Sequence, residues 1–189
     1  MDPVGHELIL GGAKSGKSRT AEERAAAWLA GPPGREALLL ATALAGDDEM
    51  AQRIDRHRAA RAARVPALRT IEVARDLAAA LESHGAAHRL LVVDCLTLWL
   101  TQCLLPPLGP GLDERAWLAR EAELLAALAA CPGPVVLVSN EIGLGVLPMS
   151  REARRCVDAL GLLHQRVAAV CRRVTLMVAG QPLTVKEQR

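Results

Sequence analysis

The chain has 189 residues, of which 51% are hydrophobic, and its 23 Lys and Arg against 21 Asp and Glu give a formal net charge of +2. So small an excess creates no strong global field, and composition alone argues for neither nucleic acid nor a membrane surface as a partner. Phe and Tyr are absent and Trp occurs three times (Trp28, Trp99, Trp117), so the core has to be built from Leu, Val, Ala and Ile. That suits a buried parallel sheet covered by Ala- and Leu-rich helices. A length of 189 residues is most naturally one domain, expected over 1–189, with no repeat or inter-domain linker visible.

Five cysteines (Cys95, Cys103, Cys131, Cys156, Cys171) lie scattered without CxxC spacing. An odd count with no secretory segment at the start points to free thiols in a reducing compartment, and the expectation is a cytoplasmic protein. The most apolar stretch, 90–105, is interrupted by Asp94, Thr97, Thr101 and Gln102 and is too short for a bilayer helix, so no membrane span is expected.

The first apolar run, 8–10, leads directly into Gly11-Gly12-Ala13-Lys14-Ser15-Gly16-Lys17-Ser18, which fits G-x-x-x-x-G-K-S/T, and a helix rich in Ala and Glu follows at 17–29. In that strand–loop–helix context the glycines let the backbone curl so that its N–H groups face phosphate oxygens at the positive end of the helix dipole. Lys17 would reach the β- and γ-phosphates, and the Ser18 hydroxyl would ligate Mg²⁺. The expected fold is therefore α/β, a three-layer P-loop NTPase arrangement with a mainly parallel central sheet flanked by helices.

A second strand is predicted at 37–41, then a helix at 47–63 that is the most unusual stretch of the chain. Arg53, His57 and Arg61 are spaced i, i+4, i+8 and share a face, with Arg64 beside them. Guanidiniums crowded around one imidazole repel one another and call for an anion, phosphate being the obvious one. Their field would hold His57 neutral and so able to attack a phosphorus atom. A solvated basic face is the alternative reading. A nucleic-acid patch is the other, but the segment lacks aromatic rings on which bases could stack.

A weaker strand candidate at 68–73 precedes a helix at 74–83, and a strong strand at 90–93 ends on Asp94. Asp94 is the expected acidic companion of a phosphate loop and could hold Mg²⁺ directly or through water; capping the helix that follows is its other possible task. Further elements are a helix at 112–130, a strand at 135–138, a helix at 150–170 and a strand at 174–178. Asn140 and Glu141 follow a buried strand and are placed where they could line a site, without an assigned role. His84 and His88 read as surface residues, and His164 as structural. Alternation of continuous apolar runs with helices implies βαβ units.

Taken together, these motifs resemble the bifunctional adenosylcobinamide kinase / adenosylcobinamide-phosphate guanylyltransferase family of cobalamin biosynthesis. The resemblance runs from the phosphate loop through Ala41-Thr42, Asp47-Asp-Glu-Met, Arg53-Ile-x-x-His57-Arg58, Val93-Asp94-Cys-Leu-Thr-Leu-Trp-Leu100 and Val138-Ser-Asn-Glu-Ile-Gly-Leu-Gly145 to Gly180-Gln-Pro-Leu-Thr-Val-Lys186. It implies two reactions: ATP or GTP phosphorylates the aminopropanol hydroxyl of adenosylcobinamide, and GTP then passes GMP through a covalent histidine, here His57, to adenosylcobinamide phosphate. The implied cofactors are GTP, ATP and Mg²⁺, the partner a small-molecule corrinoid, and the assembly a homo-oligomer, a trimer in that family. The loop apart, Thr42, Ala43, Leu44, Arg58, Ala59, Ala60, Arg61, Glu72 and Asp94 match positions that surround GTP.

Two departures stand out. Where the family reads R-P-x-x-W-x-T, this chain has Arg61-Ala-Ala-Arg64-Val-Pro-Ala-Leu-Arg-Thr70, so either Arg61 or Arg64 takes the arginine's place. His164 stands where an Asn commonly precedes Gln165. The competing readings are a P-loop small-molecule kinase without the guanylyl step and a nucleotide-dependent regulatory switch.

Overall fold

A computed structural model of the chain describes residues 5–43, 48–146 and 148–188, without the side chains of 48–51, 53 and 57. The strands are β1 (Glu7–Gly11), β2 (Glu36–Ala41), β3 (Arg69–Glu72), β4 (Arg89–Asp94), β5 (Val135–Asn140), β6 (Arg173–Val178) and β7 (Gln181–Glu187). The helices are α1 (Lys17–Leu29), α2 (Asp48–Arg64), α3 (Leu77–His84), α4 (Leu96–Leu104), α5 (Glu114–Ala130) and α6 (Arg151–Val170). Among the described residues the strands form one sheet in the order β3-β2-β4-β5-β1-β6-β7, parallel except for β7, which pairs antiparallel with β6.

The two faces of the sheet feed two hydrophobic clusters, as strands buried on both sides require. On one face Leu8, Leu38, Leu40, Leu91, Val93 and Leu137 pack under α3, α4, α5 and α6. On the other, Ile9, Leu39, Val92 and Val136 pack with Ala21, Ala25 and Trp28 of α1 and with Val65 and Leu68, which follow α2. The result is the three-layer P-loop NTPase arrangement expected from the sequence.

The tryptophans serve as anchors with their N–H groups satisfied. The Trp28 indole N–H donates to the Glu36 carbonyl at 2.9 Å, and the Arg35 guanidinium lies 3.8 Å above the ring centre. Trp99, fully buried, donates to the Arg75 carbonyl at 2.9 Å and packs 5.4 Å from Trp117 at a tilt of 51°.

Helix boundaries shift from the predicted ones where caps decide them. The Asp113 carboxylate accepts from the Ala116 N–H at 2.8 Å, and the Ser150 hydroxyl accepts from the Ala153 N–H at 3.1 Å, fixing the starts of α5 and α6. Two elements are added to the predicted set, α4 and β7. Strand β3 lies at the sheet edge and is largely exposed, which is why its apolar signal is weak. None of the described helices is long and apolar enough to cross a membrane.

Candidate active site

Because β1 to β5 are parallel, their C-terminal ends share one edge of the sheet, where the phosphate loop begins and Glu72, Asp94 and Asn140 end their strands. Register pairing sets Gly11 beside Asn140, Ala41 beside both Asp94 and Glu72, and Asp94 beside Val138. Ligand sites in open α/β sheets form at this edge, where strand dipoles, helix N-termini and loops meet.

The loop 11–18 rises from β1 and turns into α1. Gly12, Ala13 and Lys14 are exposed, Ser15 and Lys17 are buried, and Ser18 is half-buried. Gly16 has φ 101°, a conformation natural to glycine, and occupies the N-cap position of α1 with no side chain to accept from the first helical N–H groups. Those donors are thus left for an outside anion. The Lys17 ammonium curls back to the Gly12 carbonyl at 2.6 Å. A Cβ on Gly11 would sit 2.6 Å from both the Met177 carbonyl oxygen and the Ser15 hydroxyl, so the loop can only start this close to β6 with glycine there.

The C-terminal hairpin backs the same loop. Ala179 and Gly180, both with positive φ, make the tight turn between β6 and β7. The Gly180 N–H donates to the Ser15 carbonyl at 3.1 Å.

Asp94 ends β4 with its carboxylate half-buried and without a hydrogen bond or ion pair to any described residue. An oxygen ligand kept open at this edge fits Mg²⁺, which takes one or two protein oxygens and completes its shell with water and phosphate. Among the described residues no cluster of three or more His, Cys, Asp or Glu could hold a metal ion. Thr42 follows β2 on the same side of the sheet. Its side chain is fully buried, and its hydroxyl donates to the Cys95 carbonyl and accepts from the Cys95 N–H, each at 2.7 Å. It clamps the end of β2 to the β4–α4 turn; Ala43 beside it is half-buried, and Leu44 lies outside the described residues.

Helix α2 carries the basic face, and here the structure changes the reading of mutual repulsion. Arg58 is paired with Glu72 across to β3, and Arg64 reaches the buried Glu22 of α1, donating through Nε at 2.7 Å. Two of the guanidiniums are therefore neutralised within the protein. Arg61 is 7% exposed and makes no hydrogen bond or ion pair to a described residue. A buried cation in that state calls for an anion from outside. Of the two candidates for the arginine's place, Arg61 is the one left available. Ala59 and Ala60 are exposed beside it; His57 lies one turn earlier on α2, its side chain outside the described set.

Arg64 is expected to act through stability instead. Arg64→Ala strands the Glu22 carboxylate, whose side chain is 3% exposed, whereas Arg64 itself is 45% exposed and partly screened. The expected loss is about 1–3 kcal/mol, read from urea denaturation, with nucleotide affinity little changed.

Sequence reasoning left Asn140 and Glu141 without a role and gave His164 a structural one. The structure joins them. His164 Nε2 lies 2.7 Å from the Ser139 hydroxyl, which lies 3.1 Å from the Thr97 hydroxyl, and Thr97 accepts from the Asn140 N–H at 2.8 Å. On its other side His164 Nδ1 faces a Glu141 carboxylate oxygen at 3.6 Å. The Glu141 N–H donates to the Gly11 carbonyl at 3.0 Å, tying this corner to the start of the phosphate loop.

Burial holds the His164 pKa below its ordinary value despite the opposing pull of Glu141. His6, whose Nδ1 accepts from the Val135 N–H at 3.2 Å, is lowered by burial too. Both groups bind a proton more readily in the unfolded chain, so their contribution is complete above about pH 6.5 and is lost as pH falls below it. Urea midpoints measured between pH 7.5 and 5.5 should decline, and His164→Leu should flatten that decline. Glu36 and Glu187, lowered by their Arg89 and Arg173 partners, act only at more acidic pH.

Comparison with known proteins agrees with this geometry. A family model described as cobinamide kinase / cobinamide phosphate guanyltransferase matches residues 7–185. The bifunctional adenosylcobalamin biosynthesis protein CobP of Pseudomonas aeruginosa is 51% identical over 180 residues, covering 95% of this chain and 96% of that protein. The bifunctional adenosylcobalamin biosynthesis proteins CobU of Salmonella typhimurium and Escherichia coli are 37% and 36% identical, each over 95% of this chain and 98% of theirs. Among solved structures, a Pyrococcus horikoshii protein, studied as Project ID PH0250, shares the fold with a TM-score of 0.58 at 8% identity, over 100% of this chain and 89% of that one. The flagellar accessory protein FlaH of Methanocaldococcus jannaschii does so with a TM-score of 0.52 at 13% identity, over 97% and 79%. With a phosphate loop after β1, an open acid at the end of β4 and a family model spanning nearly its whole length, the chain belongs to the cobinamide kinase / cobinamide phosphate guanyltransferase family.

Proposed function

We propose that this protein phosphorylates adenosylcobinamide with ATP or GTP and then transfers GMP from GTP, through a covalent His57 intermediate, to adenosylcobinamide phosphate. The observation that carries the reading is the phosphate loop after β1 together with a basic helix, α2, tied by Arg58 to Glu72 at the end of β3 and by Arg64 to Glu22 of α1. The loop with Lys17 grips the β/γ end of a triphosphate. Helix α2 brings His57 and Arg61, which has no side-chain partner among the described residues, for the rest of it.

In the kinase step the substrate hydroxyl oxygen attacks the γ-phosphorus, and the electron pair of the broken bond goes to the β-phosphate oxygen of the departing nucleoside diphosphate. Lys17 and the N–H groups at the start of α1 neutralise the charge that builds there. In the second reaction a neutral His57 nitrogen attacks the α-phosphorus of GTP, a P–N bond forms and pyrophosphate leaves. The phosphate of adenosylcobinamide phosphate then takes the guanylyl group and frees the imidazole. Ser18 and Asp94 would hold Mg²⁺, which would neutralise negative charge on the phosphates. Residence in the cytoplasm and assembly as a homotrimer complete the proposal.

The test is incubation with GTP labelled at the α-phosphate. The expected result is acid-labile label on the protein that is chased into adenosylcobinamide-GDP when adenosylcobinamide phosphate is added. Wild-type protein that acquires no label would eliminate the transferase half.

A further inference from the structure

Hydrogen-bond direction can be followed through the corner formed by Thr97, Ser139, His164 and Glu141. The Thr97 hydroxyl accepts from the Asn140 N–H, so its own proton is free to go to Ser139. Ser139, fully buried, then directs its proton to His164 Nε2. An imidazole that accepts at Nε2 carries its proton on Nδ1, the nitrogen that faces Glu141. The opposite order would set an unprotonated Nδ1 against a carboxylate. The Glu141 carboxylate favours this polarity by drawing the imidazole proton to Nδ1, and the open end of the chain is Glu141.

Glu141 is the member that reaches solvent, with its side chain 22% exposed. Its second oxygen accepts from the Gly143 N–H at 2.9 Å, and no Arg or Lys among the described residues pairs with it. Burial keeps His164 neutral near pH 7, so one carboxylate oxygen accepts from the Gly143 N–H, the other faces the otherwise unpartnered His164 Nδ1 at 3.6 Å, and no cation among the described residues offsets the charge. Its position is set by the sheet. Strand β5 lies between β1, which carries the phosphate loop, and β4, which ends on Asp94. Glu141 therefore leaves the sheet between the triphosphate grip and the open acid, bonded to the loop's first residue.

A held, uncompensated carboxylate beside a phosphate grip suits a proton acceptor for an attacking hydroxyl. Resting on the kinase half of the proposed function, we propose that Glu141 accepts the proton of the substrate hydroxyl as its oxygen bonds to the γ-phosphorus, and that His164 is the positioning residue that holds Glu141 for this. The oxygen–phosphorus bond forms, the γ-phosphorus–oxygen bond to the nucleoside diphosphate breaks, and the proton moves to Glu141 and then to water.

The experiment measures steady-state phosphorylation of adenosylcobinamide with MgATP for wild type, Glu141→Gln, His164→Leu and the double variant. For Glu141→Gln, kcat should fall about 10²- to 10⁴-fold while the ATP dissociation constant stays within about threefold. His164→Leu should lower kcat about 10- to 100-fold and add nothing in the Glu141→Gln background, since it acts through that carboxylate. A Glu141→Gln enzyme with kcat within threefold of wild type overturns the proposal. So does a loss of ATP binding in parallel with kcat, or a full additive loss in the double variant, each of which marks a structural corner only. Wild type that transfers no phosphate to adenosylcobinamide removes the kinase reading itself, and this proposal with it.

Discussion

His57→Ala should leave no protein-bound guanylate after incubation with α-labelled GTP, and formation of adenosylcobinamide-GDP should drop to background. The arginines around it on α2 cannot replace the imidazole, because guanidiniums stay protonated and have no lone pair to give. Phosphorylation of adenosylcobinamide should survive, since the γ-phosphoryl group passes straight to a hydroxyl without touching this side chain. The triphosphate should still bind within about tenfold of wild type, because the contacts of the loop and of Arg61 are untouched. Arg61→Ala makes the companion measurement. It removes a buried cation that has no partner among the described residues, so it should weaken GTP binding and slow adduct formation without abolishing the adduct. Label persisting on His57→Ala at the wild-type level would move the nucleophile to another residue.

The difference between what the sequence shows and what the structure adds follows from how each signal arises. The loop 11–18 and Asp94 were legible because a glycine at a forced backbone angle and an acid ending an apolar run leave local marks. The order of the strands left none. That Asp94 and the loop belong to strands separated by β5 is a tertiary fact, and it is what turns Glu141 from a residue after a strand into one between the two devices. Helix α4 was hidden because it is apolar almost all round, with Leu96, Trp99, Leu100, Cys103 and Leu104 buried, so no stripe marks it. Strand β7 was hidden for the opposite reason, being exposed along nearly its whole length. The basic face of α2 was misweighed because its charges were counted without their partners. Glu22 and Glu72 lie far off in sequence, and only folding pairs Arg64 and Arg58 with them.

Lys17→Ala should reduce phosphorylation of adenosylcobinamide about 10²- to 10³-fold, the scale of losing one preorganised group aimed at developing charge. The Lys17 ammonium is buried and held at 2.6 Å from the Gly12 carbonyl, so it stands inside the loop before any nucleotide arrives. Lys17→Arg should not restore the rate, because a planar fork cannot occupy a site shaped around a compact ammonium. The guanylyl reaction is the more telling readout. Its leaving group is pyrophosphate, made of the β- and γ-phosphates that the loop is built to grip. If one triphosphate site serves both reactions, Lys17→Ala must slow His57 labelling as well as phosphorylation, whereas His57→Ala silences labelling alone. Two variants on one sheet edge then give an asymmetric pattern that a pair of independent sites cannot produce. Labelling of Lys17→Ala at the wild-type rate would instead require a second triphosphate site away from the loop.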